Sequence, residues 1–233
     1  AVNCRGLNVT IPHKQSVANI CAELSPLAER LGAVNTLLPL AKGGWHGTNT
    51  DVEGFLAPLG KRELWQGKKA VVIGCGGSAR AVVAGLQTLQ LQMVHVIGRR
   101  AEVLSQFVAD LQQVDAPLHA ITDQNPSLRR VIETADLVVN TTPVGMAQHG
   151  DPSAMPLGKE LWEVLPPRAI VYDLIYTPRP TAWLAQAADR GHLCFDGLEM
   201  LVQQGASALR LWSGQQDVPV PTMRLAAEAA LGT

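Results

Sequence analysis

Apolar and polar positions fall into two recurring patterns along this chain. Short unbroken apolar runs, KKAVVIG, MVHVIG, LHAIT, DLVVNTT, AIVYDLI and HLCF, have the length of buried strands. Between several of them, segments such as CGGSARAVVAGLQTLQ and AEVLSQFVADLQQV repeat apolar residues every three to four positions, the spacing of an amphipathic helix. Strand alternating with helix from Lys68 to Phe195 predicts an α/β fold with a parallel, doubly wound sheet.

The two ends of the chain pattern differently. GLNVTI reads as a strand. From Pro12 to about Leu31 the spacing is helical, with Val17, Ile20, Cys21 and Leu24 on one face, and Ser25-Pro26 opens a second helix in the cap-then-proline order. GAVNTLLPL and WHGTNTD flank the glycine turn AKGG as a hairpin, and VEGFLAPL follows as a short helix. Residues 197–214 form a long amphipathic helix and TMRLAAEAAL closes the chain as another; both are expected to pack back onto the N-terminal part. Two domains result: a discontinuous one from residues 1–60 and 197–233, and a cofactor-binding one from residues 61–196. The chain lacks an initiator Met and opens close to a strand, so the first domain is expected to lack its N-terminal strand.

Composition narrows the partners. The 233 residues are 47% hydrophobic and 17% charged with a net charge of −1 and no run of like charges, which suits a soluble globular protein and points to neither nucleic acid nor a membrane surface. Four widely spaced cysteines without a CxxC pair read as reduced thiols of a cytoplasmic protein. The six histidines lack metal-ligand spacing, so no metal is expected.

The strongest chemical signal is GCGGSARA, which places Gly74, Gly76 and Ala79 at the three small positions of G-x-G-x-x-G/A, after a strand and opening a helix. Gly74 permits the tight turn, Gly76 lets backbone approach a pyrophosphate, and Ala79 lets helix pack on strand; the helix N-terminus offers free N–H groups to phosphate. At the end of the next strand, where a carboxylate would hold the ribose of NAD, stand Gly98, Arg99 and Arg100. Guanidinium groups pair with a 2′-phosphate, so NADP is the expected cofactor. Thr141 and Thr142 end the fourth strand of the central sheet, on the side where doubly wound sheets bind ligands. Outside this region Lys14, Asn35 and Asp51 each sit at or just after a strand end, among Thr10, Thr36, Asn49 and Thr50, a set suited to a polyhydroxylated ligand. Each also has an ordinary role: Lys14 solvating a loop, Asn35 satisfying a turn, Asp51 capping the helix that follows.

Taken in order, GLNVTIPHK, GAVNTL, GTNTDVEGF, the GxGGxxR turn, NTTPVGM, DLIYTP and DGLEMLVQQ resemble the shikimate dehydrogenase family over nearly the whole chain. The resemblance implies an α/β substrate domain beside a Rossmann-type domain, and reduction of 3-dehydroshikimate to shikimate with NADPH, a step of aromatic amino-acid biosynthesis. It implies that Lys14 and Asp51 are the catalytic pair, that Thr10, Asn35, Asp51 and Gln204 bind substrate hydroxyls, and that Tyr176 lies near the substrate carboxylate. Arg99, with Arg100 beside it, would hold the 2′-phosphate. The remaining cofactor positions would be Gly74, Gly76, Gly77, Ser78, Ala79, Arg80, Thr141, Thr142, Ile175 and Gly197. Two departures stand out. The family's Ser-x-Ser segment for the substrate carboxylate has no counterpart, and its second strand-end basic residue is Val103 here. Partners would be a small-molecule substrate only, with the protein a monomer or homodimer in the cytoplasm. The neighbouring readings are a quinate/shikimate dehydrogenase using NAD or both cofactors, and an inactive cofactor-binding homologue.

Overall fold

In the computed structural model, which describes residues 4–112 and 117–232, the chain lays down a small mixed sheet first. Its strands are β1 (Leu7–Asn8), β2 (Glu23–Leu24), β3 (Thr36–Pro39) and β4 (Trp45–Thr48), in the order β1-β3-β4-β2. The expected hairpin is β3 against β4, antiparallel, with Thr36 opposite Thr48. Three short helices lie between and after these strands: α1 (Lys14–Ala18), α2 (Pro26–Leu31) and α3 (Asp51–Leu56). Ser25 caps α2 as its sequence requires, its hydroxyl accepting from Ala28 N at 3.1 Å, with Pro26 in the first turn and Gly32 in the left-handed conformation at the other end.

Ahead of Ser25 the helical spacing does not make a continuous helix. After Ala18 the chain leaves helical geometry, and Glu23 and Leu24 pair in parallel with His46 and Gly47. Ile20 is 77% exposed, whereas Val17, Cys21 and Leu24 do reach one apolar cluster with Ala18, Ala28, Val34 and Leu37. They reach it from a helix end, a loop and a strand. Gly47 permits this, because a Cβ there would stand 2.7 Å from both Cys21 Sγ and Val34 Cγ2.

The second sheet has six parallel strands: β5 (Lys69–Ile73), β6 (Met93–Gly98), β7 (Leu118–Thr122), β8 (Leu137–Asn140), β9 (Ile170–Asp173) and β10 (Cys194–Phe195), in the order β10-β9-β8-β5-β6-β7. The order reverses between β5 and β8, and in such sheets ligands bind beyond the strand ends at that crevice. Helices α4 (Gly77–Gln87), α5 (Ala101–Leu111), α6 (Leu128–Ile132), α7 (Lys159–Trp162) and α8 (Ala182–Asp189) connect the strands. The last two positions expected for α5, residues 113 and 114, lie outside the described residues. Alternate residues of the strands feed separate cores: Ala70 and Val72 join the one that contains α4 and α5, Val71 and Ile73 the one that contains α6 and α8.

Helix α9 (Gly197–Ser213) returns to the small sheet, packing along α3 and donating Trp212 Nε1–H to Leu37 O at 3.1 Å. Gly54 allows the close α3–α9 approach, since a Cβ there would meet Met200 O at 2.6 Å. Helix α10 (Val220–Leu231) begins before its expected start and rests on α9 rather than on the N-terminal part, with no residue of its own fully buried. Between the sheets, Phe55 of α3 stacks on Tyr172 of β9 with centroids 5.2 Å apart. Both rings are fully buried, and burial of each contributes roughly 1.5–3 kcal/mol to holding the two sheets together.

Candidate active site

Lys14 opens α1 immediately after the Ile11-Pro12 turn, and Asp51 opens α3 immediately after β4. Their side chains meet: Lys14 Nζ donates to Asp51 Oδ2 at 2.6 Å, with the side chains 12% and 5% exposed. Asp51 does not serve as the cap of α3. Thr50 holds that place, and Asn49 Oδ1 accepts from Asp51 N at 2.9 Å. The carboxylate is thereby free for Lys14 and for Asn35, whose Nδ2 donates to Asp51 Oδ1 at 2.8 Å and to Gln204 Oε1 of α9 at 3.4 Å. Asn35 is itself fixed, its Oδ1 accepting from Thr50 N at 2.8 Å and from the Thr36 hydroxyl at 2.8 Å. Asn35, Thr36, Asn49, Thr50 and Asp51 are all buried, a concentration of polar groups sustained only because each is hydrogen-bonded. Thr10 is exposed, one residue after Val9, whose N–H donates to Asn35 O at 2.7 Å, and its carbonyl accepts from His13 N at 3.0 Å. Tyr176 is half-buried beyond β9.

This cluster faces the glycine turn of the large sheet. A Cβ added to Gly77 would lie 3.5 Å from Lys14 Cβ and 3.7 Å from its Cδ. The aliphatic stem of Lys14 therefore packs against the first turn of α4, although the two segments are far apart in sequence.

The turn has the geometry that its glycines promised. Gly74 has φ +108°, and a Cβ there would stand 2.6 Å from Thr141 Oγ1. Around Gly76 nothing lies within 4 Å of where a Cβ would point, and no side chain caps α4 at that residue. The open space and the uncapped N–H groups of an eleven-residue helix fit a pyrophosphate. Ser78 is half-buried in the first turn and Ala79 is fully buried beneath it. Arg99 and Arg100 are both exposed at the end of β6, with a cationic surface to offer a 2′-phosphate. Thr141 and Thr142 use their hydroxyls internally, Thr141 donating to Ile73 O at 2.7 Å and Thr142 to Asn140 Oδ1 at 2.7 Å. Ile175 and Gly197 are buried neighbours: Gly197 N donates to Ile175 O at 3.1 Å, and a Cβ on Gly197 would collide with Leu174 O. Among the described residues no group of three or more His, Cys, Asp or Glu is arranged to hold a metal ion, and no helix is long and apolar enough to cross a membrane.

Arg80 departs from its expected place at the cofactor. Its guanidinium is committed elsewhere, donating through Nη1 to Leu31 O at 3.0 Å and through Nη2 to Asp110 Oδ2 at 2.6 Å, over the Phe107 ring.

Sequence reasoning passed over Asn140 and Asp173, which end β8 and β9. Asn140 Nδ2 donates to Asp173 Oδ1 at 3.0 Å, and Thr181 Oγ1 donates to Asp173 Oδ2 at 2.9 Å. Both are fully buried, and they pin the loops that carry Thr142 and Tyr176. Burial pushes the Asp173 carboxyl up to about 6 against its hydrogen bonds from Ile175 N, Thr181 and Asn140. A polar residue closing an otherwise apolar strand, in LVVN and IVYD, was the available signal.

Comparison with known proteins shows what the whole chain resembles. A family model described as the shikimate dehydrogenase substrate binding domain matches residues 1–37, and the shikimate 5'-dehydrogenase C-terminal domain matches residues 197–228. The shikimate dehydrogenase (NADP(+)) of Synechocystis sp. is 50% identical over 229 residues, 97% of this chain and 77% of that protein. The enzyme of the same name from Trichormus variabilis is 45% identical over 97% of this chain and 78% of its own length. Among solved structures, shikimate 5-dehydrogenase from Thermus thermophilus in complex with NADP(H) and shikimate superposes with a TM-score of 0.81 at 36% identity, covering 99% of this chain and 80% of that one. Quinate dehydrogenase from Corynebacterium glutamicum in complex with NAD gives 0.83 at 30% identity, covering 99% and 79%.

Proposed function

This chain belongs to the shikimate dehydrogenase family, and from that premise we propose that it interconverts 3-dehydroshikimate and shikimate with NADP(H), working as the reductase. The observation that carries the reading is the buried Lys14–Asp51–Asn35 network seated against the glycine turn. When bound, the nicotinamide supplies hydride to a ketone carbon. Lys14 provides the proton and the positive charge at the ketone oxygen, where negative charge accumulates. One of its three N–H groups is held by Asp51, which fixes the direction of the other two. Asn35, Thr10 and Gln204 supply neutral donors and acceptors for ring hydroxyls, and Tyr176 offers a phenol to the carboxylate. Gly74, Gly76, Gly77 and Ser78 would cradle the pyrophosphate and Arg99 with Arg100 the 2′-phosphate, beside the loops of Thr141, Thr142, Ile175 and Gly197.

On this reading residues 1–60 and 197–233 form the substrate domain and residues 61–196 the cofactor domain, a division supported by the two sheets. The protein works in the cytoplasm as a monomer or homodimer, without a nucleic-acid partner. The exposed guanidinium pair at the end of β6, with no acid there, favours NADP over NAD and so shikimate over quinate chemistry.

The test follows nicotinamide absorbance with 3-dehydroshikimate and NADPH, then with quinate and NAD, for the wild type and Lys14→Met. The first pair is expected to turn over, and Lys14→Met to lose about 10²–10⁴ in rate with little change in shikimate affinity. Faster turnover of quinate with NAD, or an undiminished Lys14→Met, would overturn the proposal.

A further inference from the structure

Arg80 occupies an unusual place for a charged side chain. Its side chain is only 13% exposed, between α2 of the small-sheet side and α4 and α5 of the large-sheet side. Taking such a group out of water is unfavourable unless it is partnered; Nη1 and Nη2 find partners on the two sides, while Nε is buried without one. Leu31 O is the last carbonyl of α2, an end that carries partial negative charge and lacks an intrahelical donor. Asp110 lies on α5, and its carboxyl is held below the usual range first by the hydrogen bond from Arg80 and then by that from Gln106. Phe107 supports the guanidinium plane at 5.5 Å. A planar fork reaches the carbonyl and the carboxylate at once, which a lysine ammonium at the same place would not.

The contacts of Arg80 close a circuit through the active site. One turn before Arg80 on α4 is Gly77, against which Lys14 packs, and Arg80 N is bonded to Gly76 O at 3.2 Å. Three residues after Leu31 is Val34, whose N–H donates to Lys14 O at 2.8 Å, and the next residue is Asn35, the partner of Asp51. From Lys14 to Gly77, along α4 to Arg80, across to Leu31 and back through Val34 to Lys14, every link is a packed contact, a hydrogen bond or a short stretch of chain. We propose that Arg80 is a positioning residue for the reaction: it ties α4 to the end of α2 and thereby sets the placement of the Lys14 ammonium over the glycine turn. This assignment rests on the proposed reductase reading of the same site. Its consequence follows from the steepness of proton and hydride transfer with geometry, where a misplacement of about 1 Å removes as much as 10²-fold in rate.

The test compares wild type, Arg80→Ala, Arg80→Lys and Asp110→Asn by three readouts: kcat with 3-dehydroshikimate and NADPH, the dissociation constant of NADPH by direct titration, and hydrogen exchange of the Val34 amide. Both Arg80 variants are expected to lose about tenfold or more in kcat, to hold NADPH within about threefold of wild type, and to exchange the Val34 amide faster. Asp110→Asn keeps the Leu31 bond, so it should move the same readouts less, and it serves where Arg80→Ala folds poorly. NADPH affinity weakened about tenfold with kcat at saturation unchanged would make Arg80 a cofactor contact and overturn the proposal. Lowered thermal stability with kcat and Val34 exchange unchanged would reduce Arg80 to a plain bridge and overturn it as well. A wild type that fails to turn over 3-dehydroshikimate refutes the functional reading, while Val34 exchange still judges the strut.

Discussion

Asp51→Asn separates the ways in which that residue could matter, because it keeps the shape and removes the charge. In the wild type one carboxylate oxygen takes the Lys14 ammonium at 2.6 Å and the other takes Asn35 Nδ2 at 2.8 Å. Both partners are donors. An amide at position 51 therefore sets its own NH2 against a donor whichever way it is turned, against Lys14 in one orientation and Asn35 in the other. With side-chain exposures of 12% and 5%, solvent cannot fully repair the mismatch. Breaking a buried ion pair from one side costs about 3–5 kcal/mol, and the partial exposure of Lys14 argues for the lower end. At roughly 2–4 °C per kcal/mol for a chain of this size, the melting temperature should fall by about 6–12 °C. The rate should fall far more than that destabilisation explains, by about 10²–10⁴, because the acid loses its orientation while the fold persists.

The control is Ile132→Ala, a fully buried residue of the core on the opposite face of the large sheet, expected to lose a comparable amount, about 2–5 kcal/mol, with kcat retained. The assay follows NADPH absorbance at saturating 3-dehydroshikimate, with melting monitored by calorimetry. Combining Asp51→Asn with Lys14→Met should cost hardly more in rate than either alone if the pair acts as a unit. A variant that melts early yet keeps wild-type kcat would show that the pair serves the fold and not the reaction.

Three further outcomes follow. Arg99→Ala should weaken NADP about ten- to hundredfold and leave NAD unchanged, with the difference shrinking at high salt in titrations of both cofactors. Asp173 has a folded pKa of about 6, raised from 3.8 by burial, so its contribution is fully present below about pH 4 and is lost as pH rises through 6. At about pH 7 its ionisation then costs roughly 3 kcal/mol, and Asp173→Asn should flatten the stability profile between about pH 4 and 7 in denaturant titrations; an unchanged slope would dismiss Asp173 as its source. Gly74→Ala forces a Cβ to 2.6 Å from Thr141 Oγ1 at φ +108°, and should lose roughly 2–5 kcal/mol together with NADPH binding, whereas an alanine that melts and binds like wild type would mean the turn relaxes freely.

What the sequence determined by itself is local. KKAVVIG, MVHVIG and DLVVNTT are β5, β6 and β8 because a parallel strand is covered on both faces and so reads as an unbroken apolar run. The glycine turn was legible because its backbone demands are met by residue type alone, and the cap-then-proline start of α2 for the same reason. Arg99 and Arg100 were legible at one strand end too, and both lie exposed there. Where a neighbour distant in the chain decides, the pattern misled. The spacing of Val17, Ile20, Cys21 and Leu24 promised a long helix, yet pairing of Glu23 and Leu24 with β4 satisfies backbone groups and fills a core at once, and leaves Ile20 in solvent. Arg80 follows the glycine turn by three residues, and only the fold brings Leu31, 49 positions away, within reach of its guanidinium. Lys14 and Asp51 stand 37 positions apart, Asn140 and Asp173 33. Each pair is a charged or polar group that burial obliges to find a partner, and which partner it finds is settled by how helices and strands pack, a choice that no short window of sequence contains.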